Sequence, residues 1–134
     1  MTDRELLLCA IEARKKAYAP YSGFFVGAAL LGKSGKIYTG CNVENAAYSV
    51  ANCAERTALF KAVSEGEREF DAIAIVGGKA ENPTELCAPC GVCRQALSEF
   101  CDGGLKVVLG TEADVKAYTL AQLLPLSFNK NNLE

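Results

Sequence analysis

The 134-residue chain is half hydrophobic and 22% charged, enough to bury one core and too apolar for a disordered chain, so one domain over residues 1-134 is expected. Its net charge of −2 argues against nucleic acid as a partner, and the absence of any apolar run near the roughly 20 residues of a membrane span argues against a membrane, which leaves a small, neutral partner. With no histidine, imidazole-activated nucleophiles and imidazole-dependent zinc motifs are excluded; seven cysteines without a secretory pattern at Met1-Thr2-Asp3-Arg4-Glu5 point to thiols or metal ligands and a cytoplasmic location.

Leu6, Leu7, Ala10, Ile11 and Ala17 recur at helical spacing, predicting a first helix over 3–18 that stops before Pro20. Residues 24–31 and 36–41 read as a hairpin across Gly32-Lys33-Ser34-Gly35, and 42–52 as a polar loop. A second helix is expected from Cys53 to Glu65, capped by Asn52 and ended by Gly66. The continuous apolar run 70–76 predicts a strand covered on both faces. Pro89 should open a third helix, in which Cys93, Ala96, Leu97 and Phe100 share a face. Segments 105–109 and 116–120 are strand candidates, and 121–128 a short closing segment broken by Pro125. Helix, hairpin and then alternating strands and helices imply one mixed sheet with helices on its faces.

Two segments carry chemistry. Cys53-Ala54-Glu55 and Cys90-Gly91-Val92-Cys93 each fall at a predicted helix start, where aligned peptide dipoles favour thiolates. If the two starts meet, Cys53, Cys90 and Cys93 converge on one tetrahedral Zn²⁺ and leave its fourth position to water. Glu55, two residues after Cys53, could then move that water's protons without binding the metal. Arg56 could donate to the sulfurs and offset the net −1 of three thiolates on Zn²⁺.

This pattern resembles the zinc-dependent nucleoside and nucleobase deaminases, whose His-or-Cys, any residue, Glu motif precedes Pro-Cys-x-x-Cys. The resemblance narrows to the cytidine deaminases through Tyr18-Ala19-Pro20-Tyr21-Ser22, Val26-Gly27-Ala28-Ala29, Leu123-Leu124-Pro125 and, most of all, Cys41-Asn42-Val43-Glu44-Asn45-Ala46. It implies a three-layer α/β/α fold with about five strands, one Zn²⁺ per subunit, and hydrolysis of cytidine and deoxycytidine to uridine and deoxyuridine in pyrimidine salvage. It further implies that Asn42 and Glu44 bind the ribose 3′-hydroxyl, that Phe24 packs on the base, and that the Ala54 amide meets the base O2. Ala46, Tyr48 and Phe128 would reach a neighbouring subunit's site, which implies a homotetramer with composite active sites.

Other readings compete residue by residue. Cys87, Cys90 and Cys93 form a ladder in which spacing alone does not choose two ligands, and a fourth thiolate from Cys87 or Cys41 would close the metal site into a structural one. Cys9, Cys41 and Cys101 fit small buried hydrophobes, Phe24 ordinary core, Asn42 a turn residue, Glu44 a solvated acid and Arg56 an exposed charge. The competing functions are a deaminase of blasticidin, nucleotides or nucleic-acid bases, against which the ribose-contact segment and the lack of a basic cluster argue, and a zinc-stabilised binding module with a closed four-sulfur site.

Overall fold

The computed structural model describes residues 1–83 and 85–134. Its elements are α1 (Asp3–Arg14), β1 (Phe25–Gly32), β2 (Ile37–Cys41), α2 (Ala54–Ser64), β3 (Phe70–Gly78), α3 (Gly91–Phe100), β4 (Lys106–Thr111), β5 (Asp114–Thr119) and α4 (Leu120–Leu123). The strands form one mixed sheet in the order β2-β1-β3-β4-β5. Only β3 and β4 run parallel, and α3 is the crossover such a pair requires.

Both faces of the sheet are covered, as the sequence predicts. Leu6, Leu7 and Ala10 of α1 pack on Ala29, Ala72, Ala74, Val76 and Val108. On the opposite face, Ala58, Leu59, Leu97 and Leu120 from α2, α3 and α4 pack on Leu30, Ile73, Ile75, Val107 and Leu109. Alternate β3 residues thus serve different layers: alanines and a valine under α1, isoleucines under α2 and α3. That double burial explains the unbroken apolar run, each fully buried Leu or Ile contributing about 1.5–3 kcal/mol.

Most boundaries shift from those predicted by one or two residues, and three of the shifts have a visible cause. α1 begins with a capping box between Thr2 and Glu5 but stops at Arg14, four residues before Tyr18. Lys15, Lys16 and Ala17 donate to carbonyls three residues back, and Tyr18 then leaves the helix to bridge Val43, its amide donating to the Asn42 carbonyl at 2.9 Å. A pairing partner so far along the chain overrides helical spacing. β4 and β5 form a hairpin with no intervening helix, β5 starts at Asp114, and Leu120 opens α4 because Thr119 caps that helix with Gln122. α3 starts at Gly91 rather than Pro89, because Cys90 occupies the cap position.

Candidate active site

β2 and β3 both run antiparallel to β1, so they point the same way, and the segments leaving them deliver α2 and α3 to one end of the sheet. Gly40 brings α2 close: a Cβ there would stand 2.5 Å from the Ala58 nitrogen and 2.6 Å from the Ala54 carbonyl oxygen. Each helix has a cysteine at its N-cap, Cys53 for α2 and Cys90 for α3, both with extended backbone. The predicted Asn52 cap does not form. Cys53 already holds that position, and Asn52 Nδ2 instead donates to Thr57 Oγ1 at 3.2 Å.

The three sulfurs of Cys53, Cys90 and Cys93 lie within 4.8 Å of one another. Tetrahedral Zn²⁺ with Zn–S bonds of about 2.3 Å needs sulfurs about 3.8 Å apart; Cys53 Sγ and Cys90 Sγ are separated by 3.8 Å. The donor set therefore fits zinc, and Cys93 is buried, Cys53 half-buried and Cys90 exposed. Cys87, the other member of the ladder, is not in this group. Its sulfur sits on the end of β3, 2.6 Å from where a Gly77 Cβ would be. Burial pushes that thiol up to about 11. Among the described residues no fourth sulfur joins the group.

Charge is organised around the sulfurs. The Cys53 thiol is drawn down to about 5, first by the Cys93 thiol donating to it, against burial, and then by Arg56 and Cys90. Cys93, as that donor, is pushed up. Arg56 Nη2 donates to Cys53 Sγ at 3.4 Å, an interaction that raises the Arg56 pKa, while Arg56 Nε is buried with no partner. Glu55 is only 4% exposed, and burial pushes its carboxyl up to about 7, the range in which one group both accepts and returns a proton near neutral pH.

A cavity of about 290 Å³ opens over the thiols, at the small end of the roughly 300–1,000 Å³ typical of ligand pockets. Cys53, Ala54, Glu55, Cys87 and Cys90 line one part, and Phe24, Val26, Asn42 and Glu44 the other. Asn42 Oδ1 accepts from the Val26 amide and its Nδ2 donates to the Phe24 carbonyl, both at 2.8 Å, so it extends the β1 edge into the site. Glu44 accepts from the amides of Tyr21 and Ser22 and from the Ser22 hydroxyl; the Ser22 bonds hold its carboxyl below the usual range. Ala54 is the first residue of α2, so its amide has no acceptor within the helix. Two larger clefts, of about 440 and 590 Å³, lie elsewhere and contain none of the three clustered thiols.

Nine of the predicted site residues thus come together: Cys53, Cys90, Cys93, Glu55, Arg56, Phe24, Asn42, Glu44 and Ala54. Ala46, Tyr48 and Phe128 are exposed and outside the cavity; Tyr48 packs edge-on against Tyr21, and the Phe128 carbonyl accepts from Gln95 Nε2. Cys9, Cys41 and Cys101 are half-buried rather than fully buried, and the first two line a surface cleft. Sequence reading assigned no site role to Ser22, Val26, Ala51, Asn52 or Ala88, which also line the cavity. Ser22 had a visible signal, a hydroxyl within the Pro20-Tyr21-Ser22 segment.

A cluster of three thiols at two helix starts, with a buried carboxylate beside it and a small cavity above, has the makings of a hydrolytic metalloenzyme. The model of the cytidine and deoxycytidylate deaminase zinc-binding region matches residues 1–111. The cytidine deaminase of Sporosarcina psychrophila is 51% identical over 99% of this chain and 96% of its own length, and that of Halalkalibacterium halodurans 49% identical over 98% of each. The crystal structure of cytidine deaminase from Burkholderia pseudomallei superposes with a TM-score of 0.87 at 50% identity, covering 96% of this chain and 100% of that one. The chain belongs to the cytidine and deoxycytidylate deaminase family of zinc-dependent hydrolases.

Proposed function

We propose that the chain hydrolyses cytidine and deoxycytidine to uridine and deoxyuridine with release of ammonia, as a cytoplasmic enzyme of pyrimidine salvage. The observation that carries this reading is the shared cavity, lined by Phe24, Asn42, Glu44 and Ala54 together with Glu55, Cys53 and Cys90. Phe24 stacks on the base, Asn42 and Glu44 take the ribose 3′-hydroxyl, and Ala54 donates to the base O2. Among the described lining residues there is no Lys or Arg, while Glu44 and Glu55 are acidic, which disfavours a 5′-phosphate.

Cys53, Cys90 and Cys93 would hold one Zn²⁺ per subunit, which would supply a Lewis acid able to lower the pKa of water toward about 7. Glu55 accepts one proton from the water that adds to C4 and delivers it to N3. It then carries the second proton to the amino group, which leaves as ammonia while the water oxygen remains as the C4 carbonyl. Arg56, donating to Cys53 Sγ, offsets the negative charge of three thiolates. Ala46, Tyr48 and Phe128 act in a neighbouring subunit's site within a homotetramer, in keeping with their exposure in the single chain. No helix among the described residues is long and apolar enough to cross a membrane.

The test is ultraviolet absorbance on a panel of cytidine, deoxycytidine and their 5′-monophosphates, with uridine and ammonia confirmed as products. Both nucleosides should turn over at rates within about tenfold of each other, because no residue is assigned to the 2′-hydroxyl, and the monophosphates should be slower by about 100-fold or more. Preference for deoxycytidine monophosphate would overturn the nucleoside assignment.

A further inference from the structure

α1 lies hard against β1 at Gly27, where a Cβ would stand 2.1 Å from the Ala10 carbonyl oxygen and 2.4 Å from the Arg14 nitrogen. This contact seats Arg14 beside the ends of β1 and β3, where Phe25 pairs with Gly78. Its partly buried guanidinium leaves its own helix carbonyls alone and donates to four others. Nε donates to the Phe25 carbonyl at 2.8 Å, Nη1 to Glu81 at 2.9 Å, and Nη2 to Gly78 at 2.7 Å and to Ala80. A planar fork of five N–H donors suits this convergence, which a single ammonium cannot reproduce.

The four carbonyls belong to two segments that both run into the cavity lining. Phe25 follows Phe24, whose side chain lines one wall and whose carbonyl is held by Asn42. Gly78, Ala80 and Glu81 begin the return of the chain toward Cys87 and Cys90 in the other wall. That return is pressed onto the end of β3, with a Pro83 carbon 3.0 Å from where a Gly78 Cβ would be and the Cys87 sulfur 2.6 Å from where a Gly77 Cβ would be. A plain helix C-terminal arginine would bond the last carbonyls of α1. Here the acceptors belong to two other segments, both of which run into the site.

We propose that Arg14 is a positioning residue that sets the spacing between the Phe24 wall and the Cys87 to Cys90 wall, and so both substrate fit and metal retention. Its part in substrate fit rests on the nucleoside reading above; its part in metal retention does not. The experiment compares zinc-loaded parent, Arg14→Gln and Arg14→Lys by cytidine kinetics, by the rate of zinc transfer to a chromogenic chelator, and by cleavage after Glu81 with a glutamate-specific protease. Arg14→Gln should raise KM by about tenfold and speed zinc transfer by about tenfold, as expected when a support behind metal ligands is lost, with new cleavage after Glu81. Arg14→Lys should recover only part of each, and if Arg14→Gln does not fold, the same shifts at smaller size in Arg14→Lys carry the test. A parent inactive on cytidine, with the zinc and cleavage effects intact, would overturn the nucleoside reading and leave Arg14's positioning role standing. A folded variant with a lowered unfolding temperature but parental KM, zinc transfer and cleavage would overturn the proposal.

Discussion

The floor of the cavity and its outermost candidates are built on different principles. Cys53, Glu55, Cys90 and Cys93 all lie within three positions of a helix cap, and one chain brings them together. Tyr48 and Phe128, by contrast, are 76% and 63% exposed, and in the single chain they are not among the residues that line the cavity. Groups placed by helix starts complete their geometry locally; large aromatics left in solvent, as Tyr18 and Tyr21 also are, need another surface to give them a role.

Substitutions in the floor should be far more costly than substitutions at the rim. Glu55→Gln should lower kcat by about 10²–10⁴-fold, the usual contribution of a positioned acid-base group, while zinc content stays at the parental level. Near-parental turnover would remove Glu55 from the proton path. Arg56→Ala should slow turnover by about 10–100-fold with zinc still bound, the scale seen when a partner behind a metal ligand is removed. An unchanged rate at full zinc content would reduce Arg56 to a structural contact. Phe128→Ala should act least, raising KM by about fivefold, equivalent to roughly 1 kcal/mol of lost contact. Sedimentation of the parent should give the mass of four chains, and a fully active monomer would contradict any role for Phe128 across subunits.

The same contrast explains what could be read before the fold was seen. Spacing at helix starts, which is a local rule, singled out Cys53, Glu55 and the Cys87, Cys90 and Cys93 ladder, and the resemblance with Pro89 favoured Cys90 and Cys93 within it. The mixed sheet and its two covered faces follow from the apolar run at β3 and the order of elements. Spacing did not separate Cys87 from Cys90 and Cys93, because that choice depends on Gly77 admitting the Cys87 sulfur against β3. The early end of α1 was hidden because Tyr18 pairs with Val43, and Arg14 was passed over because its acceptors lie 11 to 67 residues away. Asn42 and Glu44 were chosen by resemblance. The structure adds a physical reason for their positions, since Asn42 splices onto the β1 backbone and Glu44 is held by Tyr21 and Ser22.

A catalytic rather than structural site requires that Cys53, Cys90 and Cys93 bind zinc and leave it one position for chemistry. X-ray absorption at the zinc edge of the purified protein tests this most directly. Three sulfur neighbours at about 2.3 Å and one light neighbour at about 2.0 Å are the predicted result. Four sulfur neighbours, with Cys87 or Cys41 supplying the last, would contradict it and make the site a structural one.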